Sequence, residues 1–339
     1  MITINKNNKK VKKPHIIKNI MALIIIGVFL ITGYTVSRIY SQMSKVEFEE
    51  INKEDLAVNS DIFGEVSDTL SKSEFSDVKT VVFFGVDSRE TEGEFSGRSD
   101  TIMIASINPK NKGISLISIP RDTYVTIPEH GKDKINHAYS YGKEQLAIKT
   151  INQNFGLNLT EYVTIDFSGL INVINEIGGI ELEITDAEMQ YINGRSSEDY
   201  AISKNEVKKL TSSGKVKLDG EQALTHSRNR TIGDDFVRAG RQRKVLEALI
   251  KKVSSLNPVE VLDVSDIVLE EVKTNIDIAG YIGSLLNVVS NKNEYLKNMV
   301  SAQIPAAEYS EGKTIRGVYY FTTDYTDAKN DFIKNIYGK

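Results

Sequence analysis

Cysteine is absent from the 339-residue chain. Disulfides, a thiol nucleophile and thiolate metal sites are therefore excluded. A basic balance is also missing. The 42 Lys and Arg stand against 46 Asp and Glu, a formal net charge of −4. A general nucleic-acid binder would carry the opposite sign. No stretch reads as a Walker A loop or a G-x-G-x-x-G turn, so an ordinary nucleotide site has no support. No internal repeat is visible. What is present is a 40% hydrophobic fraction, enough for a sizeable core.

Two further absences mark the N-terminus. Residues 1–18 contain six Lys and no acid, and residues 19–37 contain no charge at all. A run of about 17–25 mostly apolar residues spans a bilayer. Lys18 and Arg38 suit the two ends by snorkelling, and Tyr34 and Tyr40 suit the interface. The lysine bias puts the N-terminus in the cytoplasm and everything after Arg38 outside, as in a single-pass type II protein. A cleaved signal peptide is the competing reading. No small-x-small site closely follows Ile31, and no Cys is there for lipidation. The expected order is a cytoplasmic tail over 1–18, a membrane anchor over 19–37 and a polar, acid-rich extracellular stalk over 38–78 with one helical patch. A folded domain then runs from 79.

Residues 80–86, 101–108 and 113–119 read as strands, nearly continuous in apolar residues. Such strands are buried on both faces, which requires helices on both sides of the sheet. A helix is expected over 144–155 and a strand over 162–165. Phe167, Leu170, Ile171, Ile174 and Ile177 form a helical stripe stopped by Gly178-Gly179. A strand follows at 180–184, then a polar excursion over 186–217. Helices are expected over 219–227, 238–255, 258–273 and 277–290, with a last strand at 318–322. Alternating strands and helices give an α/β class, here a three-layer α-β-α domain with a central mixed sheet. Its main part is 79–255, completed by 256–339.

Charge gathers at the strand ends. In "VVFFGVDSRETEGEFSGRSDT" (81–101) an apolar run stops at Asp87 and Arg89, and Arg98 and Asp100 precede the next strand. Open α/β sheets place ligands at such an end. Two readings stay open: Asp–Arg ion pairs closing a loop, or two carboxylates for Mg²⁺ beside Arg for phosphate. "SIPRD" puts Arg121 and Asp122 past the third strand, where an Arg fork grips phosphate oxygens. Asp122 reads as an orienter of Arg or a cap. In "KINHAY" (134–139) Lys134 reads as a phosphate contact and His137 as a helix-start or packing residue.

The segment "ALTHSRNRTIGDDFVRAGRQRKVLEALIKKV" (223–253) carries five more Arg. Arg228 and Arg230 share a side if extended. Arg238 and Gln242 head the apolar stripe of Val245, Leu249 and Val253, so they point inward at the rim. Arg241 either joins them or faces solvent. Asp234 or Asp235 caps the helix; an ion-pair network around that cap is the plainer alternative. Eight of the eleven Arg fall in these motifs, at 89, 98, 121, 228, 230, 238, 241 and 243. That sorting of Arg from Lys suits a site gripping several phosphate oxygens.

The ordered series GVDSR, GRSDT, SIPRD, KINHAY and SRNR…GDDFVRAGRQ resembles the LytR-CpsA-Psr family over about 79–255. Residues 256–339 match only in general character. The resemblance implies enzymes on the outer membrane face of mainly Gram-positive bacteria. They move a glycan polymer, typically a teichoic acid or capsular polysaccharide, from a polyprenyl-pyrophosphate carrier to peptidoglycan and form a phosphodiester. It also implies Mg²⁺, with Mn²⁺ as the alternative, held by Asp87 and Asp100. Asp87, Arg98 and Arg121 would be catalytic. The pyrophosphate would meet Arg98, Arg121, Lys134, Arg228, Arg230, Arg238 and Gln242, with Arg89 supporting the pocket. Ile171, Ile174, Val245 and Leu249 would line a lipid tunnel or serve as plain core.

One departure stands out. His226 occupies a position, two before Arg228, where the family usually has an aromatic residue. It leaves the Arg clamp intact and invites a general-base reading. Three competing functions remain: a polyprenyl-pyrophosphate phosphatase, a non-catalytic lipid-carrier binding module, and transcriptional regulation. The anchor, the net charge and a tail too short for a helix-turn-helix oppose the last.

Overall fold

The computed structural model describes residues 46–87, 95, 97–194, 208–257, 260, 264, 267–277, 284 and 287–338. The strands, in chain order, begin with β1 (Glu47–Phe48), β2 (Lys79–Val86), β3 (Ser99–Asn108), β4 (Gly113–Ser118), β5 (Tyr124–Ile127) and β6 (Gly131–Lys134). There follow β7 (Tyr162–Asp166), β8 (Ile180–Ile184), β9 (Gly214–Leu218), β10 (Val272–Thr274), β11 (Val300–Gln303), β12 (Ser310–Ile315) and β13 (Val318–Thr323). Seven make one sheet in the order β1-β10-β7-β2-β3-β4-β11. It is mixed: β2 runs parallel to β7 and antiparallel to β3, and β4 runs antiparallel to β3 and parallel to β11. Three two-stranded sheets, β5-β6, β8-β9 and β12-β13, stand apart from it.

Period-two alternation sorts the strand side chains between two faces. Val82, Phe84, Ile102, Ile104 and Ile117 enter one large core. Helix α1 (Ile135–Phe155) covers this face, joined later in the chain by a C-terminal helix, Tyr325–Tyr337. Ile114 and Leu116 face the other way and meet Leu246 and Ile250. Those belong to a second long helix, Asp235–Ser255. With α2 (Phe167–Glu176), α3 (Asp186–Asn193) and α4 (Gly220–Arg228) in between, the second long helix is α5 and the C-terminal helix α6. Apolar strands thus lie between helices, as their composition requires.

The expected strands at 80–86, 101–108, 113–119, 162–165 and 180–184 form within two residues of the expected bounds. Some expectations are corrected. The stalk drawn over 38–78 is, in its described part, a piece of the domain. Leu56, Ile62, Val66 and Leu70 are buried in the same core as Phe84 and Ile148, and β1 extends the sheet beside β10. Ile62, Val66 and Leu70 recur every fourth residue and the segment holds the short helices Ile62–Val66 and Lys72–Asp77, so the helical patch forms, but its polar surroundings hid its place in the core. The helix expected at 144–155 starts at Ile135, bent at Gly142-Lys143 where the backbone leaves helical angles. The last strand expected at 318–322 forms as β13 and pairs with β12 in a hairpin. The excursion at 186–217 is partly regular: Thr185 caps α3 with a capping box, and β9 pairs with β8. Of the helices expected over 258–273 and 277–290, the described residues 260, 264, 267–270, 284 and 287–290 are helical, but the end of the first is corrected: residues 272–274 pair with β7 as β10. Among the described residues no helix is long and apolar enough to cross a membrane; the expected anchor at 19–37 lies outside them.

Candidate active site

The strand ends bring the charges together. Asp87 follows the last residue of β2, and Asp100 is the second residue of β3. The two strands pair with Val86 opposite Ser99 and with a register shift between Gly85 and Val86. Ile119 N donates to Ile102 O (2.9 Å), which carries the chain past β4 alongside the start of β3. Arg121 Nη1 then donates to Asp100 Oδ1 at 2.8 Å. Arg121 also lies 3.9 Å from Asp122 and 3.8 Å from Asp235.

The second group arrives from helix ends. Arg228 closes α4; its guanidinium lies over the Phe167 ring at 4.7 Å and 3.6 Å from Asp87. Arg230, two residues on, reaches Asp100 at 3.5 Å. Asp234 caps α5 by accepting from Val237 N. Asp235 is thereby released to face inward, with its Oδ1 3.0 Å from Arg238 Nη1. Arg238 is only 5% exposed. Lys134, just ahead of α1, binds Asp122 at 2.9 Å.

The electrostatics follow from burial and pairing. Burial alone would lower the Arg121 pKa, but Asp100, then Asp122 and Asp235, raise it above the ordinary guanidinium value. Burial and the neighbouring Arg121 instead lower that of Arg238. Asp122 and Asp235 make an unequal pair. Burial and a hydrogen bond to Asp122 raise the Asp235 pKa. Asp122 is opposed by burial yet lowered by its bonds to Asp235 and Lys134. Of the two, Asp235 is therefore the one that takes up a proton first as pH falls, and Asp122 the one that keeps its charge longest. Buried guanidinium atoms remain with spare capacity: Arg121 Nε and Arg238 Nη1 make no aligned hydrogen bond. Such donors at a cavity wall suit a polyanion that supplies oxygen acceptors.

Two cavities meet here. A polar one of about 790 Å³ is lined by Asp87, Arg98, Asp100, Arg121, Lys134 and Arg228, among others. An apolar one of about 300 Å³ runs under the sheet's second face, lined by Phe83, Met103, Ile165, Leu170, Val245 and Leu249. Asp100, Arg228 and Arg230 belong to both walls, and Arg238 and Gln242 head the apolar one. The combined shape fits an amphiphile with a charged head and an apolar tail.

Residues 34–335 match the sequence profile of the LytR_cpsA_psr family. The chain belongs to that family. The polyisoprenyl-teichoic acid–peptidoglycan teichoic acid transferase TagU of Enterococcus faecalis is 40% identical over 185 residues, 53% of this chain and 55% of that protein. TagT of Bacillus subtilis, with the same activity name, is 29% identical over 321 residues, 93% of this chain and 91% of that one. A solved structure of the LytR-CPS2A-psr family protein YwtF (TagT) with bound octaprenyl pyrophosphate lipid superposes with a TM-score of 0.60. It is 26% identical, over 86% of this chain and all of the other.

The expected LytR_cpsA_psr site residues Asp87, Arg98, Asp100, Arg121, Lys134, Arg228, Arg230, Arg238 and Gln242 all line one cavity or the other. Arg89 lies outside the described residues. Of the tunnel candidates, Val245 and Leu249 line the apolar cavity. Ile171 and Ile174 line neither cavity and pack in the core. Arg241 neither joins the site nor faces solvent. It is 3% exposed and donates to Glu188 (2.7 Å) and to the Asn229 and Ile232 carbonyls. It braces the turn that carries Arg228 and Arg230. Arg243 turns away to Ser301 and Ser118.

His226 is buried with neither ring nitrogen hydrogen-bonded. Burial lowers its pKa to about 4. It touches neither cavity's lining, which removes the general-base reading. Among the residues that sequence reasoning missed, Asn136, Ser140, Tyr141 and Val318 line the polar cavity. Asn136 and Tyr141 stood inside or beside the KINHAY motif and were legible as neighbours. Val318 gave no signal, because the hairpin that brings it to the site is a long-range contact.

Proposed function

We infer that this protein transfers an anionic glycopolymer, of teichoic acid or capsular polysaccharide type, from a polyprenyl-pyrophosphate carrier to peptidoglycan. The observation that carries this is the junction of an Arg-lined polar cavity with an apolar one at Asp100, Arg228 and Arg230. A pyrophosphate fits the first and the start of a prenyl chain the second. The activities of TagU and TagT agree, as does the lipid held by YwtF.

The reaction is a displacement at phosphorus. A sugar hydroxyl of peptidoglycan attacks the glycan-linked phosphorus, and its oxygen forms the new P–O bond. The bond to the bridging oxygen breaks, and lipid monophosphate leaves with the electron pair. The hydroxyl proton passes to solvent. Such transfers are driven by positioning and by neutralising charge. Arg121 and Arg238 offer their spare donors to the pyrophosphate oxygens. Arg228 and Arg230 meet the leaving phosphate where the two cavities join, and Arg98 and Lys134 face it from the polar side.

Among the described residues no group of three or more His, Asp or Glu is placed to hold a metal by itself. Asp87 and Asp100 offer the hard oxygen donors that Mg²⁺ or Mn²⁺ takes when phosphate and water complete its shell. Such an ion would neutralise charge on the pyrophosphate. Residues 19–37 would anchor the protein with this domain outside the cell.

The test uses the full chain in detergent with a synthetic polyprenyl-pyrophosphate-linked sugar, peptidoglycan oligomers and Mg²⁺, read by mass spectrometry. A phosphodiester conjugate made by the wild type, and lost in Arg121→Ala and Asp87→Ala, is expected. Free sugar phosphate without conjugate would turn the reading into a phosphatase. Binding of the lipid with no turnover would leave a carrier-binding module.

A further inference from the structure

One wall of the polar cavity is not used by the phosphate chemistry. His137, Ser140 and Tyr141 line it from the first turns of α1, and Val318 lines it from β13. Tyr141 is 48% exposed. Its ring stacks on His130, with centroids 4.4 Å apart and planes at 15°, and meets His137 edge-on. Asp133 organises the group. Its carboxylate bonds His137 Nδ1 (2.7 Å) and accepts from the hydroxyls of Tyr141 (3.3 Å) and Tyr320 (3.4 Å). The result is a flat aromatic platform, half-exposed at the wall of the polar cavity. Beside it Asn136 is almost fully buried, yet its side-chain oxygen has no hydrogen-bond partner. A buried acceptor left unpaired at a cavity wall points to a hydroxyl or amide brought by a ligand.

We propose that this platform is the acceptor subsite, with the Tyr141 ring packed against a pyranose ring of the peptidoglycan glycan. An aromatic face covers the C–H face of a sugar, and its polar rim meets the hydroxyls. Ser140 and the Asn136 oxygen supply that rim. The assignment rests on the transferase reading above and follows from its geometry. In an in-line displacement the attacking and leaving oxygens lie on opposite sides of phosphorus. The leaving lipid phosphate belongs where the apolar cavity joins, at Arg228 and Arg230. His137, Ser140 and Tyr141 line the polar cavity only, and none of them touches the apolar one. The attacking sugar therefore enters from their side.

The experiment compares wild type, Tyr141→Ala and Tyr141→Phe as full-length protein, with a polyprenyl-pyrophosphate-linked sugar and peptidoglycan oligosaccharides. Tyr141→Ala should raise KM for the oligosaccharide about tenfold while KM for the carrier stays within about twofold. Tyr141→Phe keeps the ring and should stay near wild type. An unchanged acceptor KM in Tyr141→Ala, equal losses in both variants, or a shift in the carrier KM instead would overturn the subsite. No transfer by the wild type would sink the transferase reading, and a second arm then judges the platform alone. Saturation-transfer NMR should show the oligosaccharide's sugar protons contacting wild type without carrier, and losing that contact in Tyr141→Ala. No contact with wild type would refute the subsite whatever the enzyme does.

Discussion

Arg121 is the residue on which the charges of the site converge. It holds Asp100 by a hydrogen bond and lies within 4.0 Å of two further carboxyls. A lysine there keeps the charge but loses the planar fork that serves Asp100 and a phosphate together. Arg121→Lys should slow transfer by about 10²–10³-fold, in the range of other lost transition-state donors. Transfer rates checked against an unchanged circular-dichroism spectrum would test this. His226 makes a second residue-scale prediction, in stability. An unfolded histidine binds its proton as pH falls through 6.5, whereas the buried ring waits until about 4. Between those values the unfolded chain binds more protons, so stability falls as pH falls. At pH 4.5 the penalty from this group is about 2–3 kcal/mol at 1.36 kcal/mol per unit. His226→Phe, which restores the aromatic residue usual in the family, should lose less stability between pH 7 and 4.5 than wild type. Urea midpoints at both pH values measure the difference.

At the scale of elements, the site depends on how α4 and α5 are seated. Gly220, at the start of α4, lies against α2. A Cβ there would come within 2.4 Å of the Ile171 carbonyl oxygen. Backbone cannot yield as a flexible side chain can, so Gly220→Ala must shift the helix that ends in Arg228. Overpacking of this kind costs about 1–3 kcal/mol. Gly220→Ala should lower the thermal midpoint and weaken carrier binding together. A lower midpoint with unchanged carrier affinity would show that Arg228 is placed independently of this seat. The Arg241–Glu188 pair works at the same scale, fastening α5 to α3 and holding the turn between α4 and α5 from behind.

At the scale of the whole molecule, residues 46–78 belong to the fold. Leu56 and Val66 are fully buried, and Ile62 and Leu70 nearly so. Asn152 fixes the segment further by donating to the Leu56 carbonyl at 2.9 Å. A chain begun at residue 79 should aggregate or melt far below one begun at residue 46. Leu56→Ala alone should cost about 2–5 kcal/mol. Denaturant unfolding of both truncations and of the point variant would decide. If the shorter chain unfolds like the longer one, this segment is only an attached strap.

The sequence by itself determined the buried strands, their approximate ends and the charged residues placed there. Those signals are local: an apolar run, its stop, and Asp or Arg immediately after. It also determined that Arg238 and Gln242 face inward, because helical spacing ties them to Val245 and Leu249. Only the tertiary structure decided which Arg serve the site. Arg241 and Arg243 sit in the same motif as Arg238, yet each found a side-chain partner more than fifty residues away in sequence, Glu188 and Ser301. The same holds for the meeting of the two cavities, for the β12-β13 hairpin at the rim and for the buried residues of 46–78. Each depends on contacts between segments far apart along the chain, and no local periodicity records such contacts.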